Sequence, residues 1–233
     1  MSPKKIRVEE WKKQRKIDRL AQVENKYYIF CEGIQTEPNY FDGFKRHIEQ
    51  NSVYKNLILV EIQGVGADTE RVIKFAEDYV NLNKLKNAQI WCVYDKDSFS
   101  PESFNRVSER ALNLNNSQKD VTYHVAWSNQ CIEYWFILHF NYYDADNLRQ
   151  YYKDNLNPNF KIKGLPKYKK NDKEIFEKLT QYGDPKLAIR FAKRRISECC
   201  GRSNADSSPA TKVYELVEEL AKYLPEVIKD RYI

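Results

Sequence analysis

The sequence predicts an α/β fold: a four-stranded, mostly parallel sheet flanked by helices, followed by a mainly helical C-terminal part. Three observations carry that expectation. Short apolar runs rich in aromatic and β-branched residues recur, amphipathic stretches separate them, and strand-like runs stop beyond Asn129. Runs that are apolar throughout are how strands covered on both faces read. Strict alternation of strand and helix specifies parallel pairing through right-handed crossovers.

Residues 1–24 are polar and lack a wide apolar face, which predicts an exposed basic arm. The core spans 25–128. Its first strand runs from Lys26 to Cys31. Thr36-Glu37-Pro38 reads as a helix start, Thr36 being the N-cap and proline lying in the first turn. The helix carries Tyr40, Phe41, Phe44 and Ile48 at helical spacing. A second strand, Leu57 to Ile62, ends before Gly64 and Gly66. Asp68 or Thr69 then caps a helix reaching about Lys86. Gln89 to Tyr94 forms the third strand, Pro101 opens the next helix, and Val121 to Trp127 is the fourth strand. Residues 129–233 read as helices packed on this core. They start with the dense apolar run Cys131 to Phe140 and continue through Ala145–Leu156, Asp172–Tyr182, Pro185–Cys199 and Ala210–Tyr223, with loops at Asn157–Tyr168 and Gly201–Pro209.

Charge is close to balanced, with 39 Lys and Arg against 33 Asp and Glu, but it is unevenly placed. Eight basic residues lie between Lys4 and Arg19. A second cluster comprises Lys161, Lys163, Lys167, Lys169, Lys170 and Lys173; a third comprises Lys186, Arg190, Lys193, Arg194 and Arg195. Basic clusters on a near-neutral body suit a phosphate-contacting surface, although solvated helix faces read the same way. Lys167, Lys169 and Lys170 alternate with Tyr168, an arrangement that suits a nucleic-acid backbone and stacked bases and equally a solvated loop. Five scattered cysteines and three histidines, with no C-x-x-C pair, argue against a disulfide scaffold and against zinc. No apolar stretch approaches the length of a membrane span, so a soluble cytoplasmic protein is expected.

The chemistry concentrates at strand ends. Glu32 closes the first strand, and Asp95 and Asp97 close the third. Ligands of parallel sheets collect at the carboxyl ends of strands. Carboxylates gathered there repel one another unless a cation lies between them, and oxygen ligands suit Mg²⁺ or Mn²⁺. Glu133 lies in an apolar run, where a lone carboxylate is costly to bury without a partner. A salt bridge to Lys or Arg would satisfy it equally well. Glu37 reads as support for a helix N-terminus, and His139 as a core histidine. No phosphate-cradling G-x-x-x-x-G-K-[ST] loop occurs, so ATP hydrolysis by this chain alone is not expected.

Cys31-Glu32-Gly33 with Thr36-Glu37-Pro38-x-Tyr40-Phe41, then Tyr94-Asp95-x-Asp97, then Asn129-x-Cys131-x-Glu133-x-Trp135-x-x-x-His139-Phe140, resembles the RloB family. Pro209-Ala210-Thr211-x-Val213-Tyr214-x-Leu216-Val217 resembles its end. The order of one glutamate followed by Asp-x-Asp on a βα sheet is also similar to the Toprim fold of primases, topoisomerases and OLD-class nucleases. That resemblance implies a magnesium-dependent phosphoryl-transfer centre at Glu32, Asp95 and Asp97, with Glu133 at a second metal position. Glu32 would be a ligand or the general base. No tyrosine nucleophile is identifiable, so strand passage is not implied. The expectation is a metal-dependent nuclease acting on DNA or RNA, tRNA included, as effector of a bacterial anti-phage system. Its basic arm and Lys163, Lys167, Lys169 and Lys170 would hold the backbone, and an ATPase encoded nearby would restrain it. A non-catalytic nucleic-acid- or partner-binding module is the alternative.

Overall fold

The computed structural model describes residues 23–66 and 68–233. Almost the whole predicted basic arm, residues 1–22, lies outside the described residues. The elements run β1 (Asn25–Cys31), α1 (Thr36–Gln50), β2 (Ile58–Gly64), α2 (Thr69–Asn83), β3 (Ala88–Asp95), α3 (Pro101–Ser117), β4 (Val121–Asn129), α4 (Glu133–Leu138), α5 (Arg149–Ile162), α6 (Ile175–Tyr182), α7 (Pro185–Glu198), β5 (Ala210–Thr211), α8 (Val213–Ala221) and α9 (Glu226–Lys229).

The sheet order is β2-β1-β3-β4-β5. Strands β2, β1, β3 and β4 are mutually parallel, and β5 is antiparallel to β4. The sheet therefore has five strands where four were expected. Ala210–Thr211 pairs with Ser128 and Asn129, and the Lys212 N–H reaches the Trp127 carbonyl at 2.8 Å. Two residues carry no periodicity of their own, so pairing with the exposed edge of β4 decides their conformation. For the same reason the expected helix Ala210–Tyr223 is only Val213–Ala221.

Both faces of the sheet are covered. Tyr27, Ile29 and Cys31 of β1 point into the larger core, with residues of α1 and of α4 to α8. Tyr28 and Phe30 point to the other face, against α2 and α3. Burial on both sides explains the uninterrupted apolar runs. Helix α1 packs by its Tyr40, Phe41, Phe44 and Ile48 stripe, all fully buried. A truncation such as Phe44→Ala would cost about 3–5 kcal/mol through lost burial and the cavity left behind.

Several boundaries differ from expectation. Thr36 is the first helical residue, not the N-cap, and its hydroxyl donates to the Lys170 carbonyl at 3.2 Å. Asp68 caps α2 by accepting the Arg71 N–H, and that helix ends at Asn83. Helix α5 starts at Arg149 and continues through Pro158 to Ile162, into the stretch expected to be loop. Buried Tyr152, Leu156 and Phe160, at spacings of four, hold it against the core despite the proline. Among the described residues no helix is long and apolar enough to cross a membrane.

Candidate functional site

From β1 the chain goes outward to β2, then returns past β1 to build β3 on the opposite side. The carboxyl ends of β1 and β3 are therefore the switch point, where ligands of such sheets bind. Glu32 follows β1 directly, and Asp95 is the last residue of β3. Gly64, at the end of β2, lets the turn after β1 close in, since a Cβ there would lie 2.7 Å from the Ile34 backbone.

Glu32 links the ends of β1 and β3. Its Oε2 accepts the Asp95 N–H at 3.1 Å and the Thr69 hydroxyl at 3.3 Å. Burial raises its carboxyl to about 7, with the Asp95 N–H pulling the other way. Asp95 is 3% exposed, and neither of its carboxylate oxygens has a hydrogen-bond partner among the described residues. Burial pushes its carboxyl well above the usual carboxylate range. The carboxylates of Glu37, Glu133 and Glu32 push it further, and Arg149 pulls it back.

Asp97 sits in the tight turn after β3, with φ at 40°, in the left-handed region. Its N–H donates to the Gln130 carbonyl at 2.9 Å, so the turn is tied to the end of β4. A non-glycine residue held in that region is strained, and strain of this kind collects at functional positions. Lys96, between the aspartates, points its ammonium away onto the Phe99 carbonyl.

Glu133 opens α4 and is 1% exposed. Its Oε1 accepts the Tyr168 hydroxyl at 3.1 Å, and its Oε2 has no partner. No salt bridge to Lys or Arg forms among the described residues. The four sequence-predicted carboxylates thus come to one end of the sheet.

Two residues complete the cluster. Glu37 is buried in the first turn of α1, and burial, with Glu133 next, raises its carboxyl. It was read from sequence as helix support only. Gly33 makes room for it, because a Cβ there would meet the Glu37 carboxylate at 2.3 Å. Arg149 opens α5, with Nη1 paired to Asp97 Oδ2 and Nη2 3.9 Å from Asp95 Oδ2. Burial alone would lower its pKa, and Asp95, Asp97 and Glu133 more than reverse that. Nothing in the sequence marked Arg149, since it stands in a loop-like stretch with no motif around it. Proximity of Glu37 to Glu32 was the signal available for Glu37.

Of the lysine loop, Lys170 approaches the site: its charge acts on Glu37, and Thr36 holds its carbonyl. Lys163, Lys167 and Lys169 are exposed and form no ion pair among the described residues. Tyr168 does not stand ready for base stacking. It is buried against Phe136 and Phe160, its hydroxyl spent on Glu133. In the third basic cluster, Lys193, Arg194 and Arg195 are paired with Glu218 and Glu198. His139 is a core histidine, Nδ1 bonded to the Trp135 carbonyl, and burial lowers its pKa to about 4.

The donor set is all oxygen, and buried carboxylate oxygens without partners are groups that a hard cation would satisfy. In the present arrangement, with Arg149 against both aspartates, no three His, Cys, Asp or Glu side chains among the described residues are placed to hold one ion. The chemistry of the donors fits a divalent ion; occupancy requires them to draw together.

Fold and site together define a parallel α/β protein with a buried acidic cluster at the topological switch point. Residues 27–220 match the family described as RloB-like protein, and the chain belongs to that family. No curated protein and no solved structure matches it.

Proposed function

We propose that the chain is a Toprim-like, divalent-metal-dependent nuclease that hydrolyses phosphodiesters of DNA or RNA. The observation that supports this best is Asp95, a buried carboxylate with no hydrogen-bond partner, ringed by Glu32, Glu37, Asp97 and Glu133. Arg149, Lys153 and Lys170 are the cations within reach. Five carboxyl groups against three cations leave the edge short of positive charge, and burial and mutual repulsion favour protons on Asp95 and Glu37, a role a divalent ion would take over.

Asp95, Asp97 and Glu133 would hold Mg²⁺ or Mn²⁺. When bound, the ion supplies charge neutralisation on the phosphate and an activated water. Glu32 is fixed through Oε2 by the Asp95 N–H and the Thr69 hydroxyl, while Oε1 makes no hydrogen bond among the described residues. Raised to about 7, its carboxyl is matched to taking a proton from water near neutral pH. Lys163, Lys167, Lys169 and Lys170 would follow the nucleic-acid backbone. We further propose the role that the family resemblance implies: the effector of a bacterial anti-phage system, restrained by an ATPase encoded nearby. Co-purification of that neighbour at background level counts against the restraint.

The rival is a non-catalytic binding module, favoured by the Arg149 contact that already engages both aspartates. Cleavage assays separate the two. Wild type, Asp95→Asn and Glu32→Gln are incubated with plasmid, single-stranded DNA, total RNA and tRNA in Mg²⁺, Mn²⁺ or EDTA. Cutting that needs metal and is lost in folded variants supports the nuclease. Cutting by neither wild type nor variant, with or without the neighbouring gene product, supports the binding module.

A further inference from the structure

The guanidinium of Arg149 lies where a cation between Asp95 and Asp97 would lie. We infer that Arg149 and a divalent ion exclude each other at this aspartate pair, and that entry of the ion frees the guanidinium for a phosphate of the substrate. The inference rests on the metal reading above and adds a substrate-binding residue to it.

Three features point this way. The first is geometric. Arg149 reaches both aspartates at once, and while it does so no three acidic side chains among the described residues are placed to share an ion. An ion and a guanidinium compete for the same oxygens, so one must leave.

The second is freedom to move. The Arg149 side chain is 30% exposed, and among the described residues its Nε has no hydrogen-bond partner and its tip pairs with Asp95 and Asp97 alone. An arginine released from them presents a planar fork suited to two phosphate oxygens.

The third is what waits beside it. Lys153 lies one helical turn further along α5, on the same face as Arg149. Burial lowers the pKa of its ammonium, Glu133 pulls it back up, and the positive charges of Arg149 and Lys170 lower it further. Like charges this close repel, and an anion among them would relieve the repulsion. Arg149, once displaced, completes a three-cation pocket beside the carboxylates. That is where a phosphodiester must sit for a metal-activated water to attack it.

The exchange predicts opposite movements in two affinities. Mn²⁺ binding is measured by calorimetry for wild type, Arg149→Gln and Arg149→Lys, each checked for a cooperative melt. Binding of labelled single-stranded DNA and RNA is followed by fluorescence anisotropy in EDTA and in Mn²⁺. Arg149→Gln is expected to bind Mn²⁺ about tenfold more tightly, the equivalent of relieving one part-buried ion pair. In wild type, Mn²⁺ should strengthen oligonucleotide binding; in Arg149→Gln that gain should be lost. Arg149→Lys keeps the charge without the fork and should fall between, and it carries the test if the glutamine variant does not fold. Mn²⁺ affinity unchanged or weakened in the variants overturns the exchange and leaves the metal reading standing. A Mn²⁺-dependent gain that persists in Arg149→Gln overturns the hand-over to phosphate. No Mn²⁺ binding by wild type or either variant overturns the metal reading, and the exchange with it.

Discussion

Two regions of the molecule gather acids and bases, and they handle them in opposite ways. Between α2 and α3 a groove of about 670 Å³ is lined by Asp68, Glu70, Arg71, Glu77, Arg106 and Arg110. Its charges are paired in the open: Arg106 with Glu70 at 2.8 Å, Arg110 with Glu77 at 2.7 Å, Arg71 with Asp68 at 3.2 Å. At the carboxyl ends of β1 and β3, Asp95, Glu37 and Glu133 are buried, the Asp95 carboxylate has no hydrogen bond among the described residues, and one arginine serves several acids. Among the described residues the groove holds no buried polar atom without a partner. Buried charge without a partner is costly and persists only where something else requires it.

The largest contrast concerns activity. If the cluster is catalytic, Asp95→Asn should lower metal-dependent cutting by a factor on the order of a thousand, the scale on which loss of an essential electrostatic group is felt. The same change should stabilise the metal-free protein, because it removes one of several crowded carboxyl groups while Arg149 keeps its pair with Asp97. Loss of both activity and stability would place Asp95 in the structural framework instead.

Removing the shared cation should act in the opposite sense. Arg149→Ala leaves the carboxylates uncompensated and should destabilise the protein in EDTA by about 2 kcal/mol. This lies below the usual cost of breaking a buried pair because part of the side chain is exposed. Denaturant midpoints measure it, and Mn²⁺ should restore the loss.

A smaller effect follows from Glu32. An unfolded glutamate titrates near 4.5, and in the folded protein burial brings this one to about 7. Between those values the folded state holds more protons than the unfolded state. Stability in EDTA therefore falls as pH rises from about 4.5 to 7 and levels off above that. The carboxyls of Asp95 and Glu37 are raised too and act in the same direction. Midpoints of wild type and Glu32→Gln across this window should converge at low pH and separate at high pH, the variant being the more stable. The groove supplies the least effect: Arg110→Ala removes an exposed pair, should cost under about 1 kcal/mol, and should leave cutting unchanged.

The same contrast explains what was legible in the sequence. Strands β1 and β3 are apolar throughout because both faces are covered, so their ends, and with them Glu32 and Asp95, could be placed from composition alone. Glu133 could be singled out because a carboxylate in an apolar run has to answer to something. Tyr168 misled, since a tyrosine between lysines looks exposed whether or not its ring turns inward. Arg149 was invisible: its partners lie 52 and 54 residues earlier in the chain, and only the folding of α5 against the sheet edge brings them together. Ala210–Thr211 was missed because a two-residue strand takes its conformation from its neighbour.

The central claim is that the acidic edge is built around a cation. Thermal melts of wild type and Asp95→Asn, in EDTA and in saturating Mn²⁺, test it most directly. The account predicts that Mn²⁺ raises the wild-type midpoint by about 5 °C or more. It also predicts that Asp95→Asn melts above wild type in EDTA and does not respond to Mn²⁺. A wild-type midpoint indifferent to Mn²⁺, with Asp95→Asn melting below it, would contradict the claim.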